Sequence, residues 1–134
     1  FIPIVMAMAG NAGIQSSAIA VQGLASGDLW RSDLVGRIGK ELGVALINGV
    51  VLSVALGVIV ILSGFGDDTQ RLALTAALAL MIVIVLSTLI GATVPLVLNR
   101  IGIDPALAMG PFITVSNDIL GLTIFFAVAT ALYL

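Results

Sequence analysis

The sequence contains no cysteine and no histidine. Their absence excludes disulfides, thiolate and imidazole metal sites, and any catalysis that depends on either side chain. Charged residues are also scarce: they make up 9% of the chain, whereas soluble domains have about 25%. So few charges cannot cover a surface that faces water, and the net charge of −2 gives no basis for nucleic-acid binding.

Hydrophobic residues make up 60% of the chain and lie in long uninterrupted segments. The charges between them leave four apolar spans, at residues 1–25, 42–63, 72–98 and 105–133. Each is long enough for a helix to cross a bilayer, which takes about 20 residues. The segments do not alternate as β-barrel strands do. The sequence therefore predicts one all-α, polytopic transmembrane helix bundle over residues 1–134, surrounded by a lipid bilayer. Since Phe1 lies inside an apolar segment, we expect the chain to be part of a longer protein.

Basic residues are distributed unevenly between the connecting segments. Residues 28–41 contain three and residues 100–104 contain one, whereas the segment at 64–71 contains only Arg71. Because Lys and Arg are enriched in cytoplasmic loops, this bias predicts that segments 28–41 and 100–104 of a multi-pass cell-membrane protein face the cytoplasm. An apolar stripe in 28–41, with Trp30 near the headgroups, predicts an interfacial stretch that leads into the second span.

Asp118 is the strongest single observation in the sequence, because it lies near the middle of the fourth span. A carboxylate in hydrocarbon costs several kcal/mol unless it faces water, a cation or a partner, and no predicted span contains Lys or Arg. Gly110 and Thr114 precede Asp118 at intervals of four residues, on one helix face. Hard divalent cations prefer oxygen ligands, and Mg²⁺ keeps much of its water shell. We therefore predict a site for a hydrated ion at these three residues.

Two alternatives remain for Asp118: a protonated carboxyl group hydrogen-bonded between helices, and a carboxylate that faces water without binding a ligand. For Gly110 and Thr114, ordinary packing of small residues between helices is an equally good explanation.

A second polar cluster lies at residues 10–17 of the first span, GNAGIQSS. Asn11 and Gln15 are four residues apart and share a helix face, so we expect them to line the ion path. Interhelical hydrogen bonding is the alternative. The second and third spans have only isolated polar residues such as Asn48, and we expect these spans to form a scaffold that faces lipid. Because motifs such as HExxH or a phosphate-binding loop are absent, the sequence does not predict an enzyme.

Residues 9–17 (AGNAGIQSS) and 104–121 (DPALAMGPFITVSNDILG) resemble the transmembrane domain of the MgtE family of Mg²⁺ channels, which is related to the solute carrier 41 transporters. The resemblance implies a homodimer with five helices per subunit, the first of which has no counterpart here. It also implies a pore on the two-fold axis, lined by the first and fourth spans of this chain. Asp118 matches the pore aspartate, and Thr114 matches the residue whose carbonyl lies one turn earlier. Cytoplasmic regulatory domains belong to the family pattern but have no counterpart in these residues.

The main hypothesis is a channel or transporter domain for Mg²⁺, which is both the transported ion and the ligand. Paired Asp118 carboxylates would attract the hydrated ion, while Asn11 and Gln15 contact its water shell. One alternative is a cation exchanger coupled to Na⁺ or H⁺. Another is a membrane assembly domain that transports nothing and uses its polar residues only to join helices.

Overall fold

The computed structural model describes residues 1–27 and 34–132, and this part of the chain forms four long α-helices. Helix α1 covers Ile2–Ala25, α2 Leu34–Ser63, α3 Thr69–Arg100 and α4 Pro111–Leu132, and a short 3₁₀ helix at Pro105–Ala108 precedes α4. Four segments of the described chain are long and apolar enough to cross a membrane: Ile2–Ala25, Gly36–Ser63, Thr69–Arg100 and Pro105–Leu132. The predicted all-α bundle with four spans is therefore confirmed.

Helix α3 occupies the centre of the bundle. It packs against α1 and α2 along most of its length, and against α4 and the 3₁₀ helix. Its membrane-spanning window is half buried, whereas those of α2 and α4 are 28% and 17% buried. Small side chains such as Ala76 and Ala79 allow this close packing, and Leu80 and Ile84 fill the core between the helices. The third span therefore faces lipid with only part of its surface, including the exposed Leu74, Leu78 and Ile82, and packs against its neighbours with the rest.

Helix α2 begins at Leu34, eight residues before the start predicted for the second span. Residues 34–41 are thus part of this helix, and the side chains of Arg37 and Glu41 reach α1. Their charges predict a break before the second span, but a helix continues past the hydrocarbon when its backbone hydrogen bonds are satisfied. The prediction for Trp30 falls in residues 28–33, outside the described residues.

The fourth span is interrupted where the sequence predicted a continuous helix from residue 105. The Asp104 carboxylate accepts a hydrogen bond from the backbone N–H of Ala106 at 2.9 Å and caps the 3₁₀ helix, as expected for Asp followed by Pro. The chain then becomes extended at Met109, and Gly110 adopts a left-handed conformation with φ of 84°. Pro111 disfavours a helical conformation in the residue before it, so α4 begins only at Pro111.

Candidate functional site

Asp118 lies on α4, midway between Pro105 and Leu132. It is half-buried, between the fully buried Asn117 and the exposed Ile119. Its carboxylate has no hydrogen-bond or ion-pair partner among the described residues. The acid therefore lies at the edge of the buried face of α4, where it can meet water, an ion or a second subunit.

Gly110 lies just before α4 and Thr114 lies in its first turn, on the side of Asp118 nearer the 3₁₀ helix. The expectation that all three residues share one helix face is therefore wrong for Gly110, which is outside the helix. The Gly110 carbonyl accepts hydrogen bonds from the backbone N–H and from the hydroxyl of Thr114, both at 3.1 Å. These bonds leave no hydroxyl proton of Thr114 for a ligand, although its oxygen retains a lone pair. The structure thus brings Gly110 and Thr114 into contact with each other, and Thr114 lies one helical turn before Asp118.

Asn11 and Gln15 line a groove between α1 and α2. The groove has a volume of about 290 Å³, and α3 forms its floor through Ile84 and Thr88. None of the described residues of α4 lines it. Within one chain, the predicted site residues therefore fall into two groups: Asn11 and Gln15 in the groove, and Asp118 and Thr114 on α4 with Gly110 just before it.

Helix geometry explains this separation. Gly13 is two residues from both Asn11 and Gln15, and a helix turns by about 100° per residue, so Gly13 lies on nearly the opposite side of α1. That side packs against α4, because a Cβ added to Gly13 would overlap the side-chain amide of Asn117. The groove side and the α4 side of α1 are therefore different surfaces.

Two polar residues of the groove, Glu41 and Asn48, had no predicted role in the site. Glu41 is half-buried, and one of its carboxylate oxygens, Oε2, accepts a hydrogen bond from the Ser16 hydroxyl at 3.2 Å. Asn48 follows seven residues later, two turns along the same face of α2. The seven-residue spacing is visible in the sequence, but the charge of Glu41 assigns it to the connecting segment, and Asn48 has no polar neighbour one turn away.

Three helices meet closely beside the acid, at Gly13 of α1, Gly91 of α3 and Asn117 of α4. A Cβ added to Gly91 would overlap the backbone carbonyl of Gly13, so the two backbones approach as only glycines allow. Asn117 is completely buried here, and neither its amide nitrogen nor its carbonyl oxygen has a hydrogen-bond partner among the described residues. This glycine junction fixes the position of α4, and hence of Asp118, relative to α1.

A second contact ties α2 to α1 near one end of the bundle. The Arg37 guanidinium donates a hydrogen bond to the Ile19 carbonyl at 3.0 Å and lies against Gly23, where a side chain would collide with it. On the α4 side of α1, the buried Ser17 hydroxyl donates to the Ala108 carbonyl at 3.2 Å. These two contacts hold both the start of α2 and the 3₁₀ helix against the second half of α1.

The described residues of one chain bring no three acidic, histidine or cysteine side chains together. Any metal site within them must therefore use few carboxylates and several neutral oxygens. Mg²⁺ suits such a site, because it keeps several of its waters and contacts the protein partly through them.

Comparison with known proteins supplies the remaining finding. The model of a family described as MgtE, divalent cation transporter, matches residues 2–128. The chain is 34% identical over 131 residues to the magnesium transporter MgtE of Bacillus subtilis, covering 98% of this chain and 28% of that protein. It is 32% identical over 132 residues to the magnesium transporter MgtE of Thermus thermophilus, again covering 98% of this chain and 28% of that protein. It is 33% identical over 130 residues to that of Enterococcus faecalis, covering 97% and 28%. The chain thus spans little more than a quarter of the length of these relatives.

Proposed function

The chain belongs to the MgtE family of divalent cation transporters, and we propose that it forms the membrane pore through which its parent protein moves hydrated Mg²⁺. The observation that carries this proposal is the unpartnered, half-buried carboxylate of Asp118 in the middle of the fourth span. A carboxylate at this depth is costly unless water or a cation accompanies it. The relatives are named magnesium transporters, which supports Mg²⁺ as the ion.

The pore lies between two copies of the chain in this proposal. One acid per chain leaves a divalent ion half-neutralised, whereas two Asp118 carboxylates across a two-fold axis match its charge. Two carboxylates so close together repel each other, and a divalent cation between them removes that repulsion. The shallow burial of α4 supports this arrangement, because Phe112, Val115 and Ile119 are all exposed in a single chain and leave apolar area for a partner helix or lipid.

Ion entry in this pore is electrostatic. The ion keeps most of its water shell, so neutral oxygens hydrogen-bond to its waters and the carboxylates supply the attraction. Thr114 lies one turn before Asp118 and contributes its backbone carbonyl and hydroxyl oxygens to that shell. Asn11 and Gln15 line the groove between α1 and α2, on a different surface of the chain. In this proposal they contact the waters of the ion before or after it passes Asp118.

The test is Mg²⁺ flux into liposomes that contain the full protein and an enclosed Mg²⁺-sensitive dye. We expect Asp118→Asn to lower the flux at least tenfold, because it removes the charge and keeps the shape of the side chain. The matched control is Asp104→Asn, since Asn caps a helix as well as Asp does and Asp104 lies outside α4.

Unchanged flux in Asp118→Asn, with Asp104→Asn also unchanged, would remove the acid from the path and overturn the proposal. Flux that requires an imposed Na⁺ or proton gradient would instead identify a coupled exchanger that uses the same acid.

A further inference from the structure

We propose that the groove between α1 and α2 is a second binding site for a hydrated divalent cation, with Glu41 as its anionic group. This inference rests on the proposed transport function, but it concerns a different surface of the chain. Helix α4, which carries Asp118, packs on the opposite side of α1 from the groove. Within one chain, Asp118 and Glu41 therefore lie on different surfaces.

The groove has polar walls on both sides. Asn11 and Gln15 project from α1, and Glu41 and Asn48 project from α2. The amides of Asn11, Gln15 and Asn48 have no side-chain hydrogen bonds among the described residues. An amide left unpaired in hydrocarbon costs on the order of 4–8 kcal/mol, so three of them facing lipid tails would be very unfavourable. A water-filled groove removes this cost, and polar walls with water between them can hold a hydrated ion.

The charge in the groove selects a cation. Glu41 is the charged residue that lines it, and no basic side chain of the described chain does. The recorded polar partner of Glu41 is the neutral Ser16 hydroxyl, which occupies Oε2 and leaves Oε1 free. Arg37 lies four residues earlier on α2 and lines a small neighbouring pocket together with Glu41, but its guanidinium donates to the Ile19 carbonyl of α1. Among the described residues the two side chains form no ion pair, so the Glu41 carboxylate keeps one oxygen available to a cation.

The size of the groove fits a hydrated ion. The groove offers about 290 Å³ to the centres of water-sized spheres, whereas one water needs about 10–15 Å³ on the same measure, so the groove has room for an ion with several waters. A bare Mg²⁺ would need near-octahedral contact with protein oxygens, and a single carboxylate with dispersed amides does not provide it. The walls instead offer acceptors and donors at separate points, which suits hydrogen bonds to the waters of the ion.

The groove also extends from near one end of the bundle into the span. Glu41 lies about two turns from the beginning of α2, and Asn48 lies two turns farther into the span. An ion attracted to Glu41 therefore meets the carboxylate near the end of the bundle and the amides deeper in the membrane.

The test is a Mn²⁺ titration of the full protein in detergent, with electron paramagnetic resonance reporting the free ion and 150 mM KCl present throughout. We expect Glu41→Gln to lose one bound Mn²⁺ per chain, or to bind it at least tenfold more weakly. Asp104→Asn, the matched control, should bind as the parent does. Asp118→Asn should lose a different ion and keep the Glu41 ion, so failure of the pore proposal would leave this measurement unaffected.

A third variant separates binding from folding. Glu41→Asp keeps the charge and is expected to retain the ion with reduced affinity. Equal losses in Glu41→Asp and Glu41→Gln, together with a lower melting temperature, would identify a purely structural residue and overturn the inference. The same number and affinity of bound Mn²⁺ in Glu41→Gln and the parent would also overturn it. Loss of the Glu41 ion when only the KCl concentration is raised would do so as well, because the site would then not be selective for a divalent ion.

Discussion

The two sides of α1 carry similar small and polar residues, but one side is closely packed and the other borders an open groove. On one side, Gly13 lies against the backbone of Gly91 and the side chain of Asn117, and nothing larger than glycine fits. On the other side, Asn11 and Gln15 border an open groove in which their amides have no side-chain partner. Both sides belong to the same short cluster of glycines and polar residues. The role of a small or polar residue in a span therefore depends on which neighbouring helix its side of the helix contacts.

Replacing a glycine of the junction is expected to have the largest effect on stability. Gly91→Ala would force apart the backbones of α1 and α3, because the new methyl group overlaps the Gly13 carbonyl. We expect a loss of about 1–3 kcal/mol of stability, as is usual for an overpacked core. The loss of stability is measured as a lower melting temperature of the purified protein, with the monodisperse fraction as the readout.

Gly39→Ala is the matched control for this variant, since nothing lies within 4 Å of a Cβ at that exposed position of α2. Equal melting temperatures for Gly91→Ala and Gly39→Ala would show that the helices are not in close contact at Gly91.

Ser16→Ala tests a polar contact between α1 and α2 at the edge of the groove. It removes the hydroxyl that donates to Glu41, and with it a polar contact between α1 and α2. Hydrogen bonds between membrane helices are worth about 0.6 kcal/mol on average, so we expect a small fall in melting temperature. Ser63→Ala is the control, because that exposed hydroxyl bonds only to the Ile59 carbonyl of its own helix. A fall as large as that of Gly91→Ala would mean that the groove side also holds the fold together.

The smallest effect on stability is expected for Asn48→Leu. Its amide has no side-chain partner in the groove, so a leucine of similar size should change the free energy of unfolding by no more than about 0.5 kcal/mol. Melting curves are recorded in detergent with and without about 10 mM Mg²⁺. We expect Mg²⁺ to raise the melting temperature of the variant less than that of the parent, because a weaker binding site stabilises the folded state less. A large loss of stability without Mg²⁺ would instead show that the groove is a packing surface.

Much of the fold could be predicted because hydrophobic length is a strong signal. The four spans follow from the positions of a few charges, and the cap at Asp104 follows from local turn chemistry. The early start of α2 could not be predicted in this way, because Arg37 and Glu41 obtain their contacts from α1 rather than from neighbours in sequence. The central position of α3 depends in the same way on which helices its small residues meet.

The candidate site divides along the same line. Asp118 was recognisable because an acid in a span is rare, and its half-buried, unpartnered position keeps it the leading candidate. Asn11 and Gln15 were recognisable as polar, but their direction relative to Asp118 depends on how α1 rotates against α4. Gly13 sets that rotation, because its lack of a side chain lets Asn117 of α4 pack against α1. This contact cannot be seen until α4 is placed beside α1.

The unequal lengths of the helices have a consequence for the outline of the molecule in a bilayer. At about 1.5 Å per residue, the 24 residues of α1 and the 22 of α4 are about 36 and 33 Å long, close to the thickness of the hydrocarbon. The 30 residues of α2 and the 32 of α3 reach about 45 and 48 Å. These two neighbours must tilt or extend beyond the lipid tails. An extension at the end that carries the exposed Lys40 and Arg100 would place these two charges at the level of the phosphate headgroups.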